Sequence, residues 1–286
     1  MVTRQKVLIL GCGYLGLRLA AELRREGDAV TGWVRSAESA EALVKEGITP
    51  WTGDLAEASA WTELPRDFDA VVHCASSGRG GVEAYRSVYR EGVRQAVRHL
   101  PGTRLLFVSS TSVYGQEDGS VVTEESLAAP TTETGKVLRE AEELALAEGG
   151  PDSAVFRLAG IYGPERGVLL RKFLAGEAVI EGDGKRWINQ IHRDDAAGAL
   201  RRALEPGTPL PGGIYNVADD EAVTYLTYYS WLAAQTGKAM PPFGPVNRER
   251  KRGWTHKRVA NAKLRATGWV PRFPTFREGL SPELRP

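Results

Sequence analysis

Apolar residues along the first 160 positions follow two alternating rhythms. Short continuous runs predict strands at Lys6 to Leu10, Ala29 to Val34, Ile48 to Trp51, Ala70 to Cys74, Leu105 to Ser109 and Ala154 to Leu158. Between them, apolar positions recur at helical spacing. Leu15, Leu19 and Leu23 mark one helix from Leu15 to Arg25; others run over Ala37 to Glu46, Glu83 to His99 and Gly135 to Glu148. Gly27 and Gly47 stand where a left-handed residue would end the first two. Near-continuous apolar strands alternating with helices mean βαβ units and a parallel sheet covered on both faces. After about residue 160 glycine and proline become more frequent and the segments shorten. There, His192 to Leu204, Leu226 to Thr236 and Lys257 to Thr267 read as helices and Ile214 to Val217 as a strand. The expected fold is α/β: a doubly wound parallel sheet over residues 1–160 and a smaller C-terminal α/β lobe over 161–286, some of whose segments return to the sheet.

One turn carries chemistry. Gly11-Cys12-Gly13-Tyr14-Leu15-Gly16 follows a predicted strand and opens a predicted helix. The first glycine permits a tight turn, the second a close approach of backbone to a pyrophosphate, and the third close packing of helix on strand. The helix start then offers unpaired N–H groups and partial positive charge to phosphates. This is the Rossmann dinucleotide fingerprint. An NAD-preferring site usually has a carboxylate at the end of the second strand for the ribose 2′-hydroxyl. Here the strand ends Trp33-Val34-Arg35, and the guanidinium of Arg35 suits a 2′-phosphate. NADP(H) is therefore favoured over NAD(H).

Composition narrows the partners. The 286 residues carry a formal net charge of +1, which gives no bulk attraction to nucleic acid or an acidic membrane. No apolar run reaches membrane-spanning length, and Met1 to Lys6 leads into a strand without a signal-peptide pattern. Two cysteines, Cys12 and Cys74, make no disulfide framework, so a cytoplasmic setting is expected. The four histidines lack zinc-ligand spacing, and no metal site is expected. The basic run Arg248 to Arg252 reads as a solvated loop.

Further motifs recur in a fixed order: Gly53-Asp54-Leu55, Val72-His73-Cys74-Ala75, Val108 to Gly115, Arg157 to Pro164, and Asn189 to Ala196. With the glycine turn, this set resembles the extended short-chain dehydrogenases/reductases, the family of NAD-dependent epimerases and dehydratases of nucleotide sugars. The resemblance implies a role for each matched position. Asp54 would bond the adenine with Leu55 beside it. Ala75, Ser76 and Ser109 would line the dinucleotide. Ser110 would be the catalytic hydroxyl and Lys136 the lysine holding the nicotinamide ribose. Tyr162 and His192 are candidates where the substrate lobe meets the sheet. The resemblance also suggests a homodimer through the helices Glu83 to His99 and Gly135 to Glu148, and a small-molecule substrate.

The pattern breaks at two places. The family's proton-transferring tyrosine lies four residues before its lysine, and Thr132 stands there. A phenol near pKa 10 can be tuned for that work, whereas an aliphatic hydroxyl is too weak an acid. Tyr89 stands where the family has an asparagine. The chain thus resembles the atypical subgroup lacking the tyrosine. Glu133, if partly buried, is one substitute acid, and His192 another group able to titrate near neutrality. The expected activity is that of an oxidoreductase or epimerase on a sugar- or nucleotide-like substrate; a non-catalytic NADP(H) sensor is the alternative.

Overall fold

The structure, a computed structural model, describes residues 4–78, 80–205, 210–248 and 254–284. Most of the predicted basic run lies outside them; Arg248 lies within, paired with Glu117 at 3.2 Å.

Seven parallel strands form the central sheet. The first five in the chain are β1 (Lys6–Leu10), β2 (Ala29–Val34), β3 (Thr49–Thr52), β4 (Ala70–His73) and β5 (Arg104–Ser110). The strands Ala154–Leu158 and Gly213–Val217 extend the sheet beyond β5. From one edge the order is Gly213–Val217, Ala154–Leu158, β5, β4, β1, β2, β3. The order reverses direction at β1, beside β4, and opens a crevice beyond the carboxyl ends of those strands. Val7, Leu8, Ile9 and Leu10 have no exposed surface, as a strand covered on both faces requires.

Helix α1 (Tyr14–Glu26) follows β1 and ends at Gly27, whose φ of 97° is the left-handed C-cap expected. Helix α2 (Ala37–Lys45) is capped by Ser36, whose hydroxyl accepts the Ser39 N–H at 3.2 Å. The stretch predicted as one helix, Glu83 to His99, is helical from Val82 but changes pitch. It is α-helical over Val82–Tyr85, π-helical over Arg86–Glu91 and α-helical again over Gly92–His99.

Two apolar cores result. The larger surrounds the sheet. It also takes in Ala196, Leu200, Leu204, Val217, Val259 and Leu264, all beyond residue 160. The helix Arg193–Leu204 packs against α1. The smaller core gathers Tyr162, Phe173, Ile180, Tyr228, Leu232 and Phe276 in the C-terminal lobe.

The helix expected over Lys257 to Thr267 is corrected. Arg258–Val259 is a strand paired in parallel with Val121–Val122, and only Ala262–Arg265 is helical. Tertiary partners claim its backbone: Val259 N–H donates to Asn189 Oδ1 at 2.7 Å and Ala260 N–H to Val122 O at 2.9 Å. Among the described residues no helix is long and apolar enough to cross a membrane.

Candidate active site

The crevice is a cavity of about 810 Å³, within the range of small-molecule sites. The glycine turn forms its floor. Gly11 and Cys12 donate their N–H groups to Trp33 O at 3.0 and 2.9 Å, which ties the turn to β2. Gly11 has a φ of 83°, and a Cβ there would sit 2.2 Å from Ala75 Cα, so only glycine fits. A Cβ on Gly16 would meet Gly11 O at 2.7 Å, the close packing its position requires. Gly13 differs: a Cβ there would meet nothing within 4 Å, because its open side faces the cavity. No side chain caps α1 and no acidic residue lies in its first turn. The first N–H groups, beginning with those of Tyr14 and Leu15, have no partner within the helix. This is a cradle for an anion.

Most of the predicted cofactor residues border this one cavity. Tyr14 and Leu15 open α1, Arg35 follows β2, Asp54 and Leu55 follow β3, Ala75 and Ser76 follow β4, and Ser109 and Ser110 end β5. Arg35 is exposed, and Ser36 and Ser39 stand with it at the start of α2, hydroxyl to hydroxyl at 2.9 Å. Asp54 accepts the Ala56 N–H through Oδ1 at 2.9 Å. Ser110 accepts the Ser112 N–H at 3.2 Å, so its hydroxyl proton stays free to donate.

Lys136 does not join them. The helix predicted from Gly135 begins at Glu133, because Thr132 Oγ1 accepts the Gly135 N–H at 3.2 Å and caps it. That phase turns Thr134, Val137, Leu138 and Glu142 inward and leaves Glu133, Lys136, Glu140 and Glu143 in solvent. Lys136 Nζ bonds Glu133 Oε1 at 2.6 Å on the surface, away from the cavity. Leu138, four residues after the buried Thr134, is the side chain this helix presents there. Glu133 is likewise no buried acid: it is exposed, and the Lys136 ammonium holds its carboxyl below the usual range.

His192 and Tyr162 are buried behind the site and do not border the cavity. His192 Nδ1 accepts the Asp194 N–H at 3.2 Å and caps the next helix, and its ring meets Tyr162 edge-on at 5.3 Å. Burial lowers its pKa to about 4, so it stays neutral near pH 7. Burial also raises the Tyr162 hydroxyl far above its ordinary value. Cys12 and Cys74 border the cavity, and burial pushes the Cys12 thiol up to about 12 and that of Cys74 higher still, which favours the protonated form of each.

Several lining residues were not read from the sequence. The π-helical turn places Ser87, Val88 and Tyr89 on the cavity beside Tyr85. His73 at the end of β4 donates from Nε2 to the Val88 carbonyl at 3.0 Å and pins that turn. A π-turn is frequent at functional sites, but no residue type marks one in a sequence. Arg166, from the loop after Tyr162, borders the cavity with its guanidinium carbon 5.0 Å from the centre of the Tyr14 ring. Behind Ser110 lies a buried ionic network. Arg157 Nε and Nη2 donate to Glu142 Oε1 and Oε2 at 3.0 and 2.7 Å, Ser109 Oγ donates to Oε1 at 2.6 Å, and Arg157 Nη1 donates to Tyr114 Oη at 2.9 Å.

The sheet order, the switch-point crevice and the uncapped glycine turn define a dinucleotide-binding Rossmann protein. The particular family follows from comparison: residues 7–218 match the NAD dependent epimerase/dehydratase family, and the chain belongs to it. Its cofactor is a nicotinamide dinucleotide, which the cradle at Gly13 and the size of the cavity fit. The chain is 33% identical over 246 residues to Protein YeeZ of Escherichia coli (strain K12), covering 84% of this chain and 86% of that protein. It is 29% identical to the 3-diazoavenalumate denitrifying reductase of a Streptomyces species, covering 97% and 100%. A crystal structure of UDP-glucuronic acid 4-epimerase from Bacillus cereus, with UDP-glucuronic acid and NAD, superposes with a TM-score of 0.79 at 20% identity. It covers 98% of each chain, a likeness of fold.

Proposed function

We propose that this protein is an NADP(H)-dependent oxidoreductase or epimerase acting on a small sugar- or nucleotide-like substrate. One observation carries the cofactor choice: Arg35, Ser36 and Ser39 border the cavity at the carboxyl end of β2, and β2 itself brings no carboxylate there. A guanidinium and two hydroxyls suit a phosphate on the ribose. In this reading Asp54 bonds the adenine, and the N–H groups at the start of α1 hold the diphosphate. The nicotinamide, when bound, supplies or accepts hydride. Ser110 donates its hydroxyl hydrogen to a substrate oxygen and orients it. The substrate enters beyond the carboxyl ends of the strands, toward the lobe that holds Tyr162. The sugar-nucleotide class rests on the family and on the ligand of the Bacillus epimerase.

A second reading, a dinucleotide-binding module without turnover, is favoured by one observation: neither Thr132 nor Lys136 borders the cavity. Titration calorimetry with NADPH, NADH and their oxidised forms, on wild type and Arg35→Ala, separates the cofactors. NADPH should bind tighter than NADH, and Arg35→Ala should cost NADPH alone about 1–3 kcal/mol, as for a lost charged hydrogen bond. Equal loss for both cofactors would remove the phosphate role. Incubating the NADP-loaded protein with UDP-sugars and following A340 and product sugars then decides between turnover and sensing.

A further inference from the structure

Arg166 closes a four-residue turn that leans on the glycine-rich turn. Gly163 N–H donates to Arg166 O at 2.8 Å, and Arg166 N–H returns to Gly163 O at 2.9 Å. Pro164 takes the second position. Glu165, at the third, has a φ of 63°, the left-handed conformation that a type II turn demands and that glycine usually supplies. A strained residue of this kind persists only where its surroundings fix it, and here they do. The Tyr14 hydroxyl donates to Pro164 O at 2.9 Å. A Cβ on Gly163 would lie 3.0 Å from His192 Nε2 and 3.1 Å from Tyr14 Oη, so the turn has no slack.

This seating decides where one cation stands. The Arg166 guanidinium carbon lies 5.0 Å from the centre of the Tyr14 ring, and Tyr14 is the first residue of α1. Arg193 approaches the same ring at 4.9 Å, but it has Asp194 at 3.1 Å. Arg18, nearby, is shared between Glu22 and Asp194. Among the described residues no carboxylate pairs with Arg166, which is exposed and borders the same cavity as Gly11, Gly13 and Ala75.

We infer that Arg166 clamps the diphosphate of the bound dinucleotide from the lobe side, opposite the N–H groups of the glycine turn. The inference rests on the dinucleotide-binding reading above and adds a ligand contact to it. Its ligand chemistry is a diphosphate, and two molecules in the cleft could carry one: the cofactor or a nucleotide-sugar substrate. Proximity to Tyr14 assigns Arg166 to the cofactor. The clamp also ties cofactor binding to the small lobe, because Arg166 leads directly into the helix Val168–Leu174 of that lobe.

The test uses the whole chain and calorimetric titration of NADPH, ADP and adenosine, and of UDP after saturation with NADPH, into wild type, Arg166→Ala, Arg166→Lys and Tyr14→Phe. Arg166→Ala should weaken NADPH and ADP at least tenfold, about 1.4 kcal/mol, and leave adenosine, which lacks phosphate, unchanged. Arg166→Lys should fall between, and added salt should weaken wild type more than Arg166→Ala. Tyr14→Phe should give a smaller loss that is not added to that of Arg166→Ala, because both act through one contact. If wild type binds NADPH and Arg166→Ala binds it equally well, the clamp is overturned while the cofactor site stands. If Arg166→Ala loses only UDP binding to the NADPH-saturated protein, the cation belongs to the substrate, which also overturns the inference. If wild type binds no dinucleotide at all, the proposed function falls, and the clamp with it.

Discussion

Replacing Glu142 by alanine should be among the most damaging single changes to this protein outside the glycine turn. Glu142 has no solvent exposure and Arg157 is 1% exposed. The carboxylate accepts two hydrogen bonds from Arg157, one from Ser109 and one from Arg139 at 2.5 Å. Without it, the Arg157 guanidinium stays buried and, among the described residues, only the Tyr114 hydroxyl oxygen accepts from it, while the Tyr114 O–H donates to Asn216 Oδ1 at 2.8 Å. Breaking a buried pair by removing one partner costs about 3–5 kcal/mol. That is a large share of the about 5–15 kcal/mol that stabilises a typical domain. Urea unfolding followed by tryptophan fluorescence measures it, from the midpoint shift at unchanged slope. The Glu142→Met, Arg157→Met double variant should recover much of the loss, since an apolar pair of similar volume leaves no buried charge. The Ser109 hydroxyl also loses its acceptor beside Ser110, so affinity for the nicotinamide dinucleotide should fall several-fold in Glu142→Ala. A loss below about 1 kcal/mol, the smallest effect a broken buried hydrogen bond should give, or a double variant no better than the single, would refute the reasoning.

Further outcomes concern the glycine turn and the buried histidines. Gly11→Ala should destabilise the fold by about 1–3 kcal/mol, because its φ is positive and its Cβ would overlap Ala75. Gly13→Ala should change stability by less than about 1 kcal/mol yet abolish tight dinucleotide binding, since its Cβ would point into the cradle; thermal melts beside calorimetry separate the two. His73 and His192 are both lowered to about 4 by burial. Between about pH 6.5 and 4 the unfolded chain therefore binds more protons than the folded one. Stability should be flat above that window and fall as pH drops through it, by an amount on the order of 2–3 kcal/mol for each histidine. Asparagine at 192 can still cap the helix but does not titrate, so His192→Asn should have a shallower loss between about pH 6.5 and 5; an unchanged slope would exclude His192 as a contributor.

The sequence alone determined the parts whose causes are local. Strand runs, helix faces and the glycine turn are set by residue types a few positions apart, so the parallel sheet and the glycine turn between β1 and α1 were legible, with Arg35 where β2 ends. The ordered motifs carried the family. Placement of Lys136 was not legible in the same way. Its helix buries Thr134, Val137, Leu138 and Glu142, and that choice of face, made by packing, leaves Lys136 in solvent and Leu138 at the cavity. The pitch change at Arg86–Glu91 lies where His73, at the end of β4, bonds the Val88 carbonyl. Around Lys257 to Thr267 the helical spacing was overridden by Asn189 and Val122, partners far away in the chain. Arg166 reads in the sequence as an ordinary loop cation. Only the tertiary structure seats its turn on Tyr14, which lies 150 positions before Pro164, because a contact between distant segments is decided by packing and leaves no local signal.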